Sequence, residues 1–251
     1  MAAHIYLDTE TTGNSKDDRL CQIAFLIEHV ERDLFGSEKK PPKCHAELCK
    51  PPLPISFEAM SVNHITTELV ENARAFGETA AVKKLTQLNK TESVMWIHNA
   101  PFDLSMLERE NFFWKGKVID TLRVSRHIIE CESHSLQYMR YALGLYRQEE
   151  ELCRAIHKRI IAHDALGDTI VLYLLAERLL SMRSVEEMID LTDKPIKLRK
   201  IHFGKYKGKS FDEIASSDRG YLKWLYDSEK QKNEQNADLL YTIESLLSDG
   251  R

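Results

Sequence analysis

Asp8 and Glu10 close a short apolar run, HIYLD, and stand two residues apart. Alternate residues of a strand point to one face, so the two carboxylates converge about 7 Å apart at the backbone. A third acid, Asp103, follows another apolar run, SVMWIH (93–98), within HNAPFD, and the ends of parallel strands in an α/β sheet line the crevice where ligands sit. The fourth, Asp168, shares a helical face with Val171, Leu172, Leu175 and Leu179. That face is expected to be buried. An ionised carboxylate in it is costly without a compensating charge, either a salt-bridge partner or a metal ion. Four carboxylates nearly cancel two Mg2+ ions, and an open, oxygen-rich site suits Mg2+ or Mn2+ better than zinc. Two such ions about 4 Å apart stabilise the attacking and leaving oxygens in phosphodiester hydrolysis.

A base is also needed. His163 lies five residues before Asp168, an offset of about 140° that would point the two apart within one regular helix. His163 is therefore expected on a loop before the helix, with Asp164 as N-cap and Asp168 in the first turns. A histidine titrating near neutrality can take a proton from a metal-bound water; a solvated surface histidine is the alternative. His98 has the simpler role of closing a strand, and His64 of capping or packing a turn.

These residues need elements to position them. The apolar run into Asp8, residues 20–29 and residues 43–49 read as strands of a meander, closed by Pro51, Pro52 and Pro54. Thr79 to Leu88 has helical apolar spacing, 93–98 reads as a buried strand, and a helix from Pro101 to Arg109 follows with proline in its first turn. Strand 117–120, helical stretches 121–128 and 134–143, and a long helix from Asp164 to about Ser181 complete an α/β pattern. The expected domains are 1–185, a linker 186–197, and a small α+β module, 198–251, too short for much core of its own.

The whole chain of 251 residues is 43% hydrophobic and 29% charged, as in ordinary folded proteins. No run approaches the roughly 18 apolar residues of a spanning helix, and the N-terminus lacks signal-peptide character, so a cytoplasmic protein without membrane contact is expected. Five irregularly spaced cysteines predict reduced thiols, and the Cys44-His45-x3-Cys49 cluster fits no common zinc site. A net charge of −4 offers no global attraction to phosphates, so nucleic-acid binding must come from local patches or metal ions. Seven basic residues and no acid between Lys194 and Lys209, among them Lys205, Lys207 and Lys209, form one such patch; a hairpin edge protected by lysines is the alternative. Tyr221, Trp224 and Leu225, at helical spacing, read as core.

Together DTETTG (8–13), HNAPFD (98–103) and His163-x4-Asp168 resemble the three motifs of the DEDDh exonucleases, in the proofreading-exonuclease superfamily. ISFEAMSVNHIT (55–66) looks like the stretch between the first two motifs, and 203–226 is similar to the C-terminal segment of the exodeoxyribonuclease X type. The resemblance implies an RNase H-like mixed sheet flanked by helices, with one strand antiparallel. It implies Asp8, Glu10, Asp103 and Asp168 as ligands of two Mg2+ ions, and His163 as general base. Thr11, Met60, His64, Asn99 and Phe102 match positions near the substrate. Phe102 could stack on an unpaired base or pack in the core beside Leu104 and Leu107. The implied activity is 3′→5′ removal of nucleoside monophosphates from DNA with a free 3′ end, in DNA repair, with a homodimer left open. An exoribonuclease on the same fold, or a nucleic-acid-binding subunit that has lost catalysis, are the alternatives.

Overall fold

The computed structural model describes residues 3–29, 40–158 and 165–248. The chain forms two compact units, Met1–Thr192 and Asp193–Arg251.

In the larger unit β1 (Ala3–Thr11), β2 (Leu20–His29) and β3 (Lys43–Leu48) form the antiparallel meander expected from the sequence. Helices α1 (Phe57–Asn63), α2 (Thr67–Val70) and α3 (Ala80–Leu88) lead to β4 (Val94–Ile97) and α4 (Ala100–Arg109). β5 (Lys117–Asp120), α5 (Thr121–Ile128), α6 (Leu136–Ala142), α7 (Glu149–Ala155), α8 (Ala165–Leu180) and α9 (Val185–Asp193) follow. The strand order is β3-β2-β1-β4-β5, and only β2 runs against β1, so the sheet is mixed, as in the RNase H-like fold.

Alternation along β1 and β2 gives each face of the sheet its own core. Ile5, Leu7, Ile23 and Phe25 pack with Leu85 of α3 and Met106 and Leu107 of α4. Tyr6, Ala24, Leu26 and Trp96 face Ile170, Tyr173 and Leu174 of α8. Tyr6 stacks on Trp96 with centroids 5.6 Å apart and meets Tyr173 edge-on at 4.9 Å. Twelve of the sixteen residues of α8 are buried, so this helix is enclosed on more than the single stripe its spacing suggests. Each buried Leu or Ile there stabilises the unit by roughly 1.5–3 kcal/mol.

One buried acid joins the turns after β4 and β5. The Asp120 carboxylate accepts from the backbone N–H of Leu122 at 2.9 Å, capping α5, and from those of Asn99 and Ala100, each at 3.1 Å, where α4 begins. It fixes the start of the helix that carries Asp103.

The linker expected at 186–197 overlaps the acidic, helix-like stretch SVEEMIDLT (184–192), which is helical through Asp193, and Met188 of α9 is buried in the larger unit's core. The smaller unit packs α10 (Phe211–Ser217), α11 (Arg219–Lys230) and α12 (Ala237–Ser248) around Ile201, Phe211, Ile214, Leu222, Leu239 and Ile243. Its regular elements among the described residues are helices, with one antiparallel bridge, Lys200 to Ser210, so the expected α+β character reduces to that bridge. The left-handed φ of Gly204, +65°, and Gly208, +90°, curl the segment before a second ladder step forms. Leu225 lies in this core with Tyr221 packed against it, but Trp224, expected there too, is 60% exposed.

Candidate metal centre and active site

Asp8, Glu10 and Asp168 each offer a carboxylate oxygen within 4.8 Å of the others, and all three are half-buried. Asp8 and Glu10 share a face of β1, as their spacing predicts. The strand pairing shifts register just beyond Glu10. There the chain is held by α1: Asn63 Nδ2 donates to the Thr11 carbonyl at 3.1 Å, and the Ser56 N–H donates to that of Thr12 at 3.0 Å.

The third acid arrives on α8. Gln22 sits opposite Glu10 in the β1–β2 register. Its Oε1 accepts from the Ala165 N–H at 3.0 Å, while the Thr169 hydroxyl donates to the Ala165 carbonyl at 2.6 Å. The first turn of α8 is thereby pinned beside Glu10, and Asp168 lies in that turn. The positive end of the helix dipole favours an anion there.

Behind Asp168 stands a row of polar side chains that no local sequence pattern announces. Gln137 of α6 donates through Nε2 to Asp168 Oδ1. Arg140 Nη1 donates to Gln137 Oε1 at 3.2 Å, which fixes the carboxamide with its NH2 toward Asp168. Arg140 is itself held by Glu149 of α7 through two bonds of 2.5 and 2.6 Å. That bidentate pair is mostly enclosed, with side-chain exposures of 17% and 9%, and it raises the Arg140 pKa above its ordinary value, mainly through the Glu149 hydrogen bonds.

Asp103 is buried in the first turn of α4 and lies outside this group of three. Its Oδ1 accepts from the Thr9 hydroxyl at 2.6 Å. Thr9 alternates with Asp8 and Glu10 along β1, so Asp103 reaches the strand from the opposite face. Burial pushes its pKa up to about 7, Asp120 adds to the rise, and the Thr9 bond opposes it.

The remaining candidates are spread over several elements of both units. The Thr11 hydroxyl is turned to the Gly13 carbonyl at 2.8 Å. His64 is exposed and takes the left-handed C-cap position of α1, with φ of 57°, matching its reading as a turn cap. Met60 is half-buried against Cys21, Ile55, Ile65 and Val70. Asn99 is exposed at the left-handed N-cap of α4, and Phe102 is half-buried against the core, with part of its ring left to solvent. Lys205, Lys207 and Lys209 are exposed on the smaller unit. His163 and Asp164 lie outside the described residues.

His98 is structural. Nε2 faces the His134 carbonyl at 2.9 Å and so must carry the proton, while Nδ1 lies 3.0 Å from the Thr121 hydroxyl, which also bonds the Ile97 carbonyl at 3.2 Å. Burial pushes its pKa down to about 4. The ring thus ties the end of β4 to the loop that leads into α6 and Gln137.

Three converging carboxylates supply hard oxygen donors open to solvent on one side, which fits Mg2+ or Mn2+ rather than a softer ion. None of the five cysteines is in a disulfide. Among the described residues no helix is long and apolar enough to cross a membrane.

The sequence model described as Exonuclease (RNase_T) matches residues 5–176, and one described as Exodeoxyribonuclease X-like C-terminal matches 201–230. Exodeoxyribonuclease 10 of Escherichia coli (strain K12) is 26% identical over 228 residues, covering 88% of this chain and 90% of that protein. The DNA polymerase III subunit epsilon of Haemophilus influenzae is 27% identical over 176 residues, covering 67% of this chain and 66% of the relative. Among solved structures, Exonuclease X in complex with 5′-overhanging duplex DNA shares the fold with a TM-score of 0.56. It is 23% identical and the match covers 76% of this chain and 99% of that one. E. coli Exonuclease I in complex with a dA16 oligonucleotide gives 0.50 at 19% identity, over 76% of this chain and 42% of that one.

The His98 environment sets a pH dependence of stability. Its folded pKa of about 4 lies below the ordinary 6.5, so above pH 6.5 the stabilisation is fully present. As pH falls from 6.5 to 4 the unfolded chain takes up a proton that the folded chain refuses, and up to about 3 kcal/mol is lost. His98→Gln keeps a donor and an acceptor without titrating. Urea unfolding across this window is expected to give a flatter pH profile for the variant; equal slopes would contradict the assignment.

Proposed function

The chain belongs to the Exonuclease family, and we propose that it removes nucleoside monophosphates stepwise from the 3′ end of DNA with the help of divalent metal ions. The observation that carries this reading is the gathering of the Asp8, Glu10 and Asp168 carboxylates within 4.8 Å on a member of that family. DNA as the polymer is supported by the relatives, one named an exodeoxyribonuclease and one solved with duplex DNA.

Asp8, Glu10 and Asp168 would hold Mg2+, with Mn2+ as a substitute, and Asp103 is assigned as the further ligand that two ions would require. The bound ions would supply charge neutralisation at the phosphodiester and a more acidic water. His163 is assigned as the base that takes the proton of the attacking water at a ring nitrogen. Gln137 holds one oxygen of Asp168 and so restrains the carboxylate's rotation. Thr11, Met60, His64, Asn99 and Phe102 are assigned to the terminal nucleotides, Phe102 through the solvent-facing part of its ring. We infer that the enzyme works in the cytoplasm, where cysteines outside disulfides stay reduced.

Asp8→Ala or Asp168→Ala is expected to abolish Mg2+-dependent mononucleotide release while the chain still unfolds cooperatively. Substantial release by either purified variant would remove the carboxylates from the mechanism. Parallel assays on DNA and RNA labelled at the 3′ or the 5′ terminus read polarity and sugar preference. Immediate release of the 3′ label from DNA is expected, and preferential release of the 5′ label, or of label from RNA, would overturn the proposal. His163→Ala should lose about 10²–10⁴-fold in rate and retain metal binding; a loss under about threefold would exclude it as the base. Gln137→Leu should raise the Mn2+ concentration for half-maximal rate about tenfold, and shrink the metal-induced rise in Tm. An unchanged metal dependence would mean that Gln137 only packs.

A further inference from the structure

The smaller unit carries a surface for which the catalytic reading has no use. Its loop from Lys200 to Ser210 is closed by backbone bonds, Ile201 N–H to the Lys209 carbonyl at 3.0 Å and Gly208 N–H to that of Ile201 at 2.7 Å. At Gly204 even a methyl would stand 3.0 Å from the Tyr221 hydroxyl, so the backbone lies close against that hydroxyl. Tyr206 meets Tyr221 edge-on at 4.9 Å, and Tyr221 meets Trp224 at 5.6 Å. Asp218 fixes the row: it accepts from the Tyr206 hydroxyl at 2.7 Å and from the Tyr221 N–H at 3.0 Å as N-cap of α11.

The row ends in the open. Trp224, at its end, is 60% exposed, and Phe203, next in the chain to the Gly204 that approaches Tyr221, is 46% exposed, large apolar side chains for a unit of this size to leave in water. Cations fringe it. The ammonium groups of Lys205 and Lys209 stand 4.7 and 5.7 Å from the Tyr206 centroid, and Lys207 and Lys223 are exposed nearby in sequence. Asp218 engages Lys205 at 3.2 Å. Among the described residues Lys207 and Lys209 make no ion pair.

We propose that this face binds single-stranded DNA, with unpaired bases stacking on Trp224 and Phe203 and with phosphates on Lys207 and Lys209. Aromatic platforms fringed by lysines suit this ligand, because every base has a π-face and the backbone supplies a charge at each step. A duplex keeps its base faces stacked and would use only the lysines. An acidic protein segment would also use the lysines and leave the indole uncovered. The assignment rests on the nuclease reading only for the choice of DNA as the polymer, and binding in the absence of metal tests it separately.

The experiment uses the full chain in EDTA, where a metal-dependent enzyme cannot consume the probe, and follows the anisotropy of a fluorescein-labelled oligothymidylate. Trp224→Ala is expected to weaken binding about tenfold and Trp224→Phe to recover most of it. Lys207→Gln with Lys209→Gln should lower the log–log salt slope by roughly 0.7 for each phosphate no longer neutralised. Unchanged affinity in Trp224→Ala together with an unchanged slope in the lysine variant overturns the proposal. So does equal affinity for a blunt duplex, and tighter binding of oligouridylate overturns the choice of DNA. Tight binding by a chain that hydrolyses nothing when metal is restored leaves this surface standing and sinks the nuclease reading instead.

Discussion

Carboxylate oxygens within 4.8 Å of one another repel by roughly 3 kcal/mol per ionised pair at the effective dielectric of a protein surface. The site exists only because the scaffold resists that repulsion. β1 pairs with β2 through Asp8 and Glu10 and with β4 over His4 to Tyr6, so the backbone that carries Asp8 and Glu10 cannot shift without breaking bonds to β2. α8 cannot withdraw Asp168, because its buried length is packed on the same sheet and its first turn is tied to Gln22. A divalent cation relieves the repulsion that the fold enforces, so the strain these acids carry becomes affinity for the ion.

The fold lowers the cost of holding its acids in two further ways. Asp103 and Asp168 both lie in the first turns of helices, where the dipole favours a negative charge by about 0.3–1 kcal/mol. Each also accepts a side-chain bond, from Thr9 and Gln137 respectively. The two approach β1 from opposite faces of the sheet, since α4 and α8 belong to different cores. Thr9, between Asp8 and Glu10, is therefore the residue through which the buried side reaches the exposed one.

What could be read from the sequence follows from how local each cause is. Asp8 and Glu10 are legible from strand alternation, and Asp168 from an apolar helical face, because both signals lie within a few residues. The Gln137–Arg140–Glu149 row is not, since its meaning depends on a contact thirty-one residues away and no periodicity marks it. Asp120 is hidden in the same way: it looks like the end of a strand, yet its carboxylate joins two helix starts that are distant in sequence. Trp224 has a helical spacing compatible with the core. Spacing fixes which face a residue occupies, but not how far around a small helix the core extends.

Charge distribution then separates the tasks of the two units. With −4 overall and converging acids on the larger unit, the chain has no general attraction for a polyanion, and the acids repel one until metal is bound. The lysines from Lys194 to Lys209 lie on the smaller unit, away in sequence from the carboxylates that would compete for them. Covalent linkage makes even a weak hold there useful, because a strand bound to one unit meets the other at an effective concentration set by the linkage rather than by the solution. A surface based on base stacking rather than on base edges suits this task, as it grips any sequence and releases each nucleotide at similar cost. An enzyme that shortens its own ligand must let it slide, and a sequence-blind aromatic row with a salt-dependent fringe allows that where specific contacts would hold it in place.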